Sequence, residues 1–216
     1  MRMVFLGIFI FTAMFTGWPT TTTAADLLEL PFWLPTQVGY EQSYDVISTS
    51  PFIDTSTGHT VRVVSIAHDS TSYEATLFLK ASPTQFADLN IRYDGKTLSF
   101  YNEWLEFIID DYPARLKKGH KSAFQGRSLE ENRVVLQGEI TTKLTGVQYA
   151  VGDNVIDDAA AVTIEYSETA SARQMRIDAV LADSFGVLRA KGNEYNDGQP
   201  FGGTFVFDLK IPRRPF

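Results

Sequence analysis

The chain contains no cysteine and only three histidines among its 216 residues. Without cysteine it cannot form a disulfide, and it lacks the acylated cysteine that anchors bacterial lipoproteins. The fold must therefore be stabilised by its own apolar core. A chain of this length can build such a core, since a domain of about 150 residues buries roughly 70% of the surface of its unfolded chain.

Recognisable catalytic patterns are also absent. His59 and His68 lie at opposite ends of one predicted strand, and His120 lies in a polar segment, so the three are not spaced as metal ligands. The chain has no His-Glu-x-x-His motif, no Gly-x-Ser-x-Gly motif and no glycine-rich phosphate loop. The sequence therefore predicts no metal site and no cofactor, and it favours a non-catalytic protein over an enzyme.

Basic residues are in the minority. The 19 lysines and arginines are outnumbered by 26 acids, which gives a formal net charge of −7. An acidic surface repels phosphate groups, so we expect no nucleic-acid partner.

One long apolar run is present, and it lies at the start of the chain. Arg2 precedes the run from Met3 to Trp18, and small residues follow up to Ala25. Because a membrane span needs roughly 20 apolar residues, this shorter run with its flanks predicts a signal peptide over residues 1–25. Residues 26–216 should then form a single exported β domain, periplasmic or extracellular, without stable membrane insertion after cleavage.

Most of the chain alternates apolar and polar residues, the pattern of a strand with one buried face. The alternation is clear from Tyr73 to Leu79, from Leu89 to Tyr93 and from Phe201 to Ile211. Asp94-Gly95 predicts a hairpin turn, because both residues tolerate positive φ. We therefore expect an all-β or β-dominated domain, either a single curved antiparallel sheet forming a half-barrel or a β-sandwich.

Four segments are less regular. Residues 102–111 fit a short helix or a strand that continues from the hairpin, and residues 153–161 could form two helical turns. Residues 119–132 are polar and predict a loop. The fold class thus allows at most two short helices. Residues 26–43 mix aromatics with proline and predict an extended segment that packs its rings on the domain.

The stretch from Leu77 through Asp94-Gly95-Lys96-Thr97-Leu98 to Asn102 resembles the central strands of the periplasmic lipoprotein-carrier family. In that family a similar hairpin leads into an aromatic-rich strand. The closing strand, with Phe205 and Phe207 before Pro212, is similar to a late strand of the same sheet.

The resemblance implies an incomplete β-barrel whose concave face holds acyl chains beneath a lid. The leading hypothesis is therefore non-catalytic binding of a hydrophobic small molecule or acyl chain. The alternative is a cell-surface module that binds protein or glycan, in which the same apolar rows are filled by the domain's own side chains. The predicted ligand-binding residues are Leu89, Ile91, Leu98, Phe100, Phe205 and Phe207.

Overall fold

The computed structural model describes residues 27–49, 59–82, 85–151, 154–182 and 186–210, which form twelve β-strands. The predicted signal peptide, residues 1–25, lies outside this range. No α-helix occurs in the described segments, so no helix there could span a membrane. The strands are β1 (Glu41–Ser48), β2 (His59–His68), β3 (Tyr73–Ser82), β4 (Gln85–Tyr93), β5 (Leu98–Tyr101), β6 (Leu105–Ile109), β7 (Lys121–Ser128), β8 (Arg133–Val151), β9 (Asn154–Glu168), β10 (Arg173–Ala182), β11 (Gly186–Asn196) and β12 (Gln199–Lys210).

The sheet is an antiparallel meander in which each strand pairs with its sequence neighbours. The first strand also pairs with the last, in a register running from Ser43 opposite Lys210 to Ser48 opposite Phe205. This pairing closes the sheet into a barrel. The prediction of a β-dominated, curved antiparallel sheet is confirmed. The sheet closes completely, whereas the sequence predicted a half-barrel or a sandwich. Closure leaves no unpaired edge strand.

Two of the less regular segments are strands. Residues 105–109 form β6, preceded by a turn in which Asn102 Oδ1 accepts hydrogen bonds from the backbone N–H groups of Trp104 and Leu105, both 2.9 Å long. The helical alternative for residues 153–161 was wrong for its described part, which begins β9. Its alanines pair with β8, with Ala159 opposite Val147 and Ala161 opposite Leu144, and this ladder overrides the helix preference of alanine.

The predicted loop at residues 119–132 was also wrong in its middle. Residues 121–128 form β7, whose alternate residues point into the barrel. Three of the four inward positions are Ser122, Gly126 and Ser128, and only Phe124 is a large apolar residue. The period of two was therefore hidden, because the buried face of this strand is built mainly from small or polar residues.

Inward and outward faces differ sharply in chemistry. The buried cluster inside the barrel is almost entirely aliphatic and aromatic. The outward faces carry cross-strand ion pairs, including Arg92 with Glu74 at 2.9 Å and Arg189 with Asp208 at 3.2 Å. Such exposed pairs each add little stability, but they show that the outside of the barrel is suited to water.

The hairpin predicted at Asp94-Gly95 forms, but Gly95 and Lys96 are at its centre. Residues 94–97 join β4 to β5, the N–H of Asp94 donates to the carbonyl of Thr97 at 3.3 Å, and Gly95 has a φ of +92°. Asp94 Oδ1 accepts hydrogen bonds from the N–H groups of Lys96 (2.9 Å) and Thr97 (2.7 Å). These bonds lower the pKa of its carboxyl, because they favour the charged form. At the β11–β12 turn, Asp197 and Gly198 both have positive φ, as a two-residue hairpin requires.

Candidate functional site

All six residues predicted to bind ligand point into the barrel. Leu89 and Ile91 lie on β4, Leu98 and Phe100 on β5, and Phe205 and Phe207 on β12; each is at most 2% exposed. Ile91 is the register partner of Phe100, so the β4 and β5 residues form one patch. The structure brings the six residues into one interior, but in two groups separated by strands β1 to β3.

The strands between the two groups continue the apolar wall. Val46 on β1 is the register partner of Phe207, Val63 on β2 faces Leu77 on β3, and Leu77 faces Leu89. The inner surface from β12 round to β5 is therefore mainly apolar, with Gln42 and His59 as buried polar residues of β1 and β2.

The β12 patch is built around a glycine. Gly192 on β11 is the register partner of Phe205, and a Cβ atom at residue 192 would lie 1.9 Å from the Phe205 ring. The ring therefore covers the glycine and makes an edge contact with Phe207, with the centroids 5.6 Å apart. His59 packs against the other side of Phe207, its ring centroid 5.3 Å away. The glycine is thus part of the aromatic packing of the wall.

One end of the barrel is plugged by residues 27–40, the segment that precedes β1. The Trp33 ring stacks on Phe100, with the centroids 6.2 Å apart and the planes 8° apart. Its Nε1 donates a hydrogen bond of 2.9 Å to the hydroxyl of Tyr112. The sequence predicted that this segment packs its aromatics on the domain, and the structure places Trp33 directly on one of the predicted binding residues.

Two buried tyrosine hydroxyls donate hydrogen bonds here, one to the plug and one to Tyr112, the partner of Trp33. Tyr73 donates to the carbonyl of Pro35 at 2.6 Å, and Tyr93 donates to the carbonyl of Tyr112 at 3.2 Å. Burial raises the pKa of Tyr73 and of Tyr112, because it disfavours the phenolate. Both hydroxyls therefore remain neutral at physiological pH, Tyr73 as a donor to Pro35 and Tyr112 as the acceptor from Trp33.

The rim of the plug is tied to the barrel by polar contacts. The N–H of Leu28 donates to the carbonyl of Asp69 at 3.0 Å, and the Leu28 carbonyl lies 2.9 Å from His68 Nε2. Arg115 and Glu29 form an ion pair of 2.6 Å at the surface. His68 thus contacts the backbone of the plug.

The histidines do not meet. His59 is buried beside Phe207, and His120 Nε2 lies 3.2 Å from the backbone carbonyl of Asp111 and 3.1 Å from Ser122 Oγ. Among the residues that the structure describes, no cluster of three or more histidines and acids could hold a metal ion.

The opposite end of the barrel has an ionisable rim near β9, β10 and β11. A 30 Å³ pocket there is lined by residues that include Glu168, Arg173 and Glu194. Glu194 is the register partner of the inward-pointing Met175, and burial raises the pKa of its carboxyl. Arg173 lies over the ring of Phe201, 5.7 Å from its centroid. Sequence reasoning missed this rim, because its members come from three strands and form no motif.

No protein-family model matches the chain, and no curated protein matches it. Two solved structures are similar in fold. One is a candidate exported protein with a YmcC-like fold from Bacteroides fragilis, 11% identical with a TM-score of 0.47, matching 86% of this chain and 100% of its own. The other is a candidate lipoprotein from Parabacteroides distasonis, 10% identical with a TM-score of 0.47, matching 87% and 100%.

Proposed function

We propose that this protein is an exported, non-catalytic barrel that binds a hydrophobic or lipid-like ligand in its interior. The observation that carries the proposal is the continuous apolar inner wall, which contains all six residues predicted from the sequence. Ligand sites for apolar molecules are concave and lined mainly by aliphatic and aromatic side chains.

The number of strands supports the same proposal. A barrel of about eight strands is just filled by its side chains or holds one small ligand, and the diameter grows with strand number. This barrel has twelve strands. Its circumference is therefore that of barrels that enclose ligand cavities.

The plug gives the proposed ligand a defined orientation. Because residues 27–40 close one end with Trp33 on Phe100, an acyl chain would enter from the opposite end and reach towards these two rings. Its polar group would then remain near the ionisable rim of Glu168, Arg173 and Glu194.

Trp33 provides a direct test. The chain has three tryptophans, and Trp18 lies in the predicted signal peptide, so Trp104→Phe leaves Trp33 as the sole tryptophan of the exported protein. Titration with a dibrominated fatty acid should quench its fluorescence in a saturable manner, because bromine quenches an indole that it contacts. The matched unbrominated fatty acid should compete without quenching.

Native mass spectrometry of the purified protein, with analysis of its lipid extract, is the independent measurement. A co-purified acyl compound at one copy per chain would support the proposal. A protein free of lipid, together with unquenched Trp33 fluorescence, would rule it out.

A second candidate function, an interaction module, is favoured by one surface feature. Phe86 on the outer face of β4 is 65% exposed and stacks on Phe78 of β3, with the centroids 6.0 Å apart. Arg62 lies over the Phe78 ring at 5.7 Å. Exposed aromatic patches of this kind mark protein contacts. A Phe86→Ser variant should lose binding of such a partner while it keeps acyl binding. If the variant loses acyl binding and no partner, the interaction-module function is ruled out.

A further inference from the structure

A row of four uncharged side chains crosses the outside of the barrel, at the end opposite the plug. Gln137 on β8 is the register partner of Ser167 on β9, which pairs with Gln174 on β10, which pairs with Tyr195 on β11. Neighbouring strands are about 4.8 Å apart, so the row spans about 14 Å. The four side chains therefore form one continuous polar strip across four strands.

Within the described part of the chain, the three shorter side chains of the strip have no side-chain hydrogen-bond partner. Gln137, Ser167 and Gln174 make no side-chain hydrogen bond to another described residue, whereas Gln148, further along β8, bonds Asp157 at 2.8 Å. The two amides and the hydroxyl thus keep their full donor and acceptor capacity for a ligand.

The next row along the strands is charged, but its charges are paired. Glu139 accepts a bond of 2.7 Å from Lys121, and Arg176 lies 3.4 Å from both Glu165 and Asp178. Asp178 and Glu165 together raise the pKa of Arg176, with a smaller contribution from Tyr195. Tyr195 and Arg176 line the same groove. The strip therefore borders charged side chains that each have an ionic partner, with Glu165 and Asp178 sharing Arg176.

The two rows line a groove of about 540 Å³. Gly138 in its floor has no room for a side chain, since a Cβ there would lie 2.2 Å from the carbonyl oxygen of Glu165. A glycine in a strand often marks such a close approach of two backbones, here between β8 and β9. Gly198 at the tip of the β11–β12 hairpin forms one side of the groove.

We propose that this groove binds a short, neutral oligosaccharide. Amides and hydroxyls can donate and accept at once, as the adjacent hydroxyl groups of a sugar require. Tyr195 offers an apolar ring face with a polar tip, on which a sugar ring can stack. The free groups of the strip are uncharged and every charged side chain of the next row has an ionic partner, so the site requires no charge on its ligand. The groove lies on the outside of the barrel, but it adjoins the ionisable rim and shares Tyr166, Gln174, Met175 and Tyr195 with the small pocket there. Its four hydrogen-bonding side chains, those of the polar strip, are not part of the inner apolar wall.

The test is calorimetric titration of the purified protein with maltotriose, cellotriose, chitotriose and mannotriose, each to millimolar concentration. We expect at least one of these to bind. Gln174→Ala and Tyr195→Ala should each weaken that binding about fivefold or more, the value of roughly one neutral hydrogen bond or ring contact. The control Gln148→Ala, on β8 but outside the groove, should leave affinity unchanged.

Three outcomes would overturn the proposal. The first is no binding of any of the four sugars, and the second is binding that is equal in all variants. The third is a peptide or protein partner that depends on Gln174 and Tyr195 in place of a sugar. Urea unfolding of the Gln174→Ala variant tests whether the barrel is intact, and fatty-acid quenching of Trp33 is measured in a chain with an unchanged groove, so failure at the groove is separable from failure of the interior ligand.

Discussion

The indole nitrogen of Trp33 donates a 2.9 Å hydrogen bond to the hydroxyl of Tyr112, which lies 79 residues further along the chain. The same two rings meet edge to face, with the centroids 5.7 Å apart. This pair joins the segment before the barrel to the loop between β6 and β7. It therefore holds the plug in place, and its loss should be measurable.

Tyr112→Phe should destabilise the protein by about 1 to 3 kcal/mol, because it leaves the buried indole N–H of Trp33 without its acceptor. Equilibrium unfolding in urea measures the change. Tyr101→Phe is the control, since Tyr101 lies on the outside of β5 and should change stability by less than about 0.5 kcal/mol. Equal effects of the two substitutions would show that the bond to Trp33 contributes nothing.

Gly192→Ala should destabilise the barrel by about 1 to 3 kcal/mol, because the new methyl group overlaps the Phe205 ring and forces it to move. Phe205→Leu in the same chain should recover part of this loss, since the smaller side chain leaves room for the methyl group. A double-mutant cycle from urea unfolding measures the coupling. Strict additivity of the two single effects would contradict the packing described for this wall.

Glu194→Gln should change how stability depends on pH. Burial, with a smaller contribution from Glu168, raises the pKa of Glu194 above its ordinary value of 4.5, while Arg173 opposes the shift. A carboxyl with a raised pKa in the folded state is favourable below its unfolded pKa, and this contribution is lost as pH rises through the folded value. The variant should therefore gain stability relative to the natural protein as pH rises from 4 to 7.

Urea unfolding of both proteins at several pH values tests this sign. Asp94 and Glu139, whose pKa values are lowered, titrate alike in both proteins, so they cancel in the difference. A difference in stability that is constant across the range would show that Glu194 has the same pKa in the folded and unfolded states.

Much of the wall could be predicted from alternation alone. Leu89, Ile91 and Phe100 stand at every second residue of their strands, so period two was enough to assign them to the buried face. β7 was not predicted as a strand, because Ser122, Gly126 and Ser128 occupy its inward positions. The hydrophobicity pattern of a sequence does not reveal a buried face that is built from small and polar residues.

The outer groove could not be read from the sequence either. Gln137, Ser167, Gln174 and Tyr195 are separated by 30, 7 and 21 positions in the printed sequence, and each is an ordinary residue of an outward face. Only the register between four strands places them in one row. Local periodicity is enough to predict which residues point inward. The groove, by contrast, depends on which residue of one strand is opposite which residue of the next strand.

The sequence by itself determined the strand class, the Asp-Gly turns and the identity of the apolar face, because these follow from local backbone preferences and from the period of side-chain direction. Only the tertiary structure decided that β1 pairs with β12, that Trp33 covers Phe100 and that the sheet closes. These contacts join residues far apart in the chain. They depend on the twist and register accumulated over twelve strands, which no local pattern encodes.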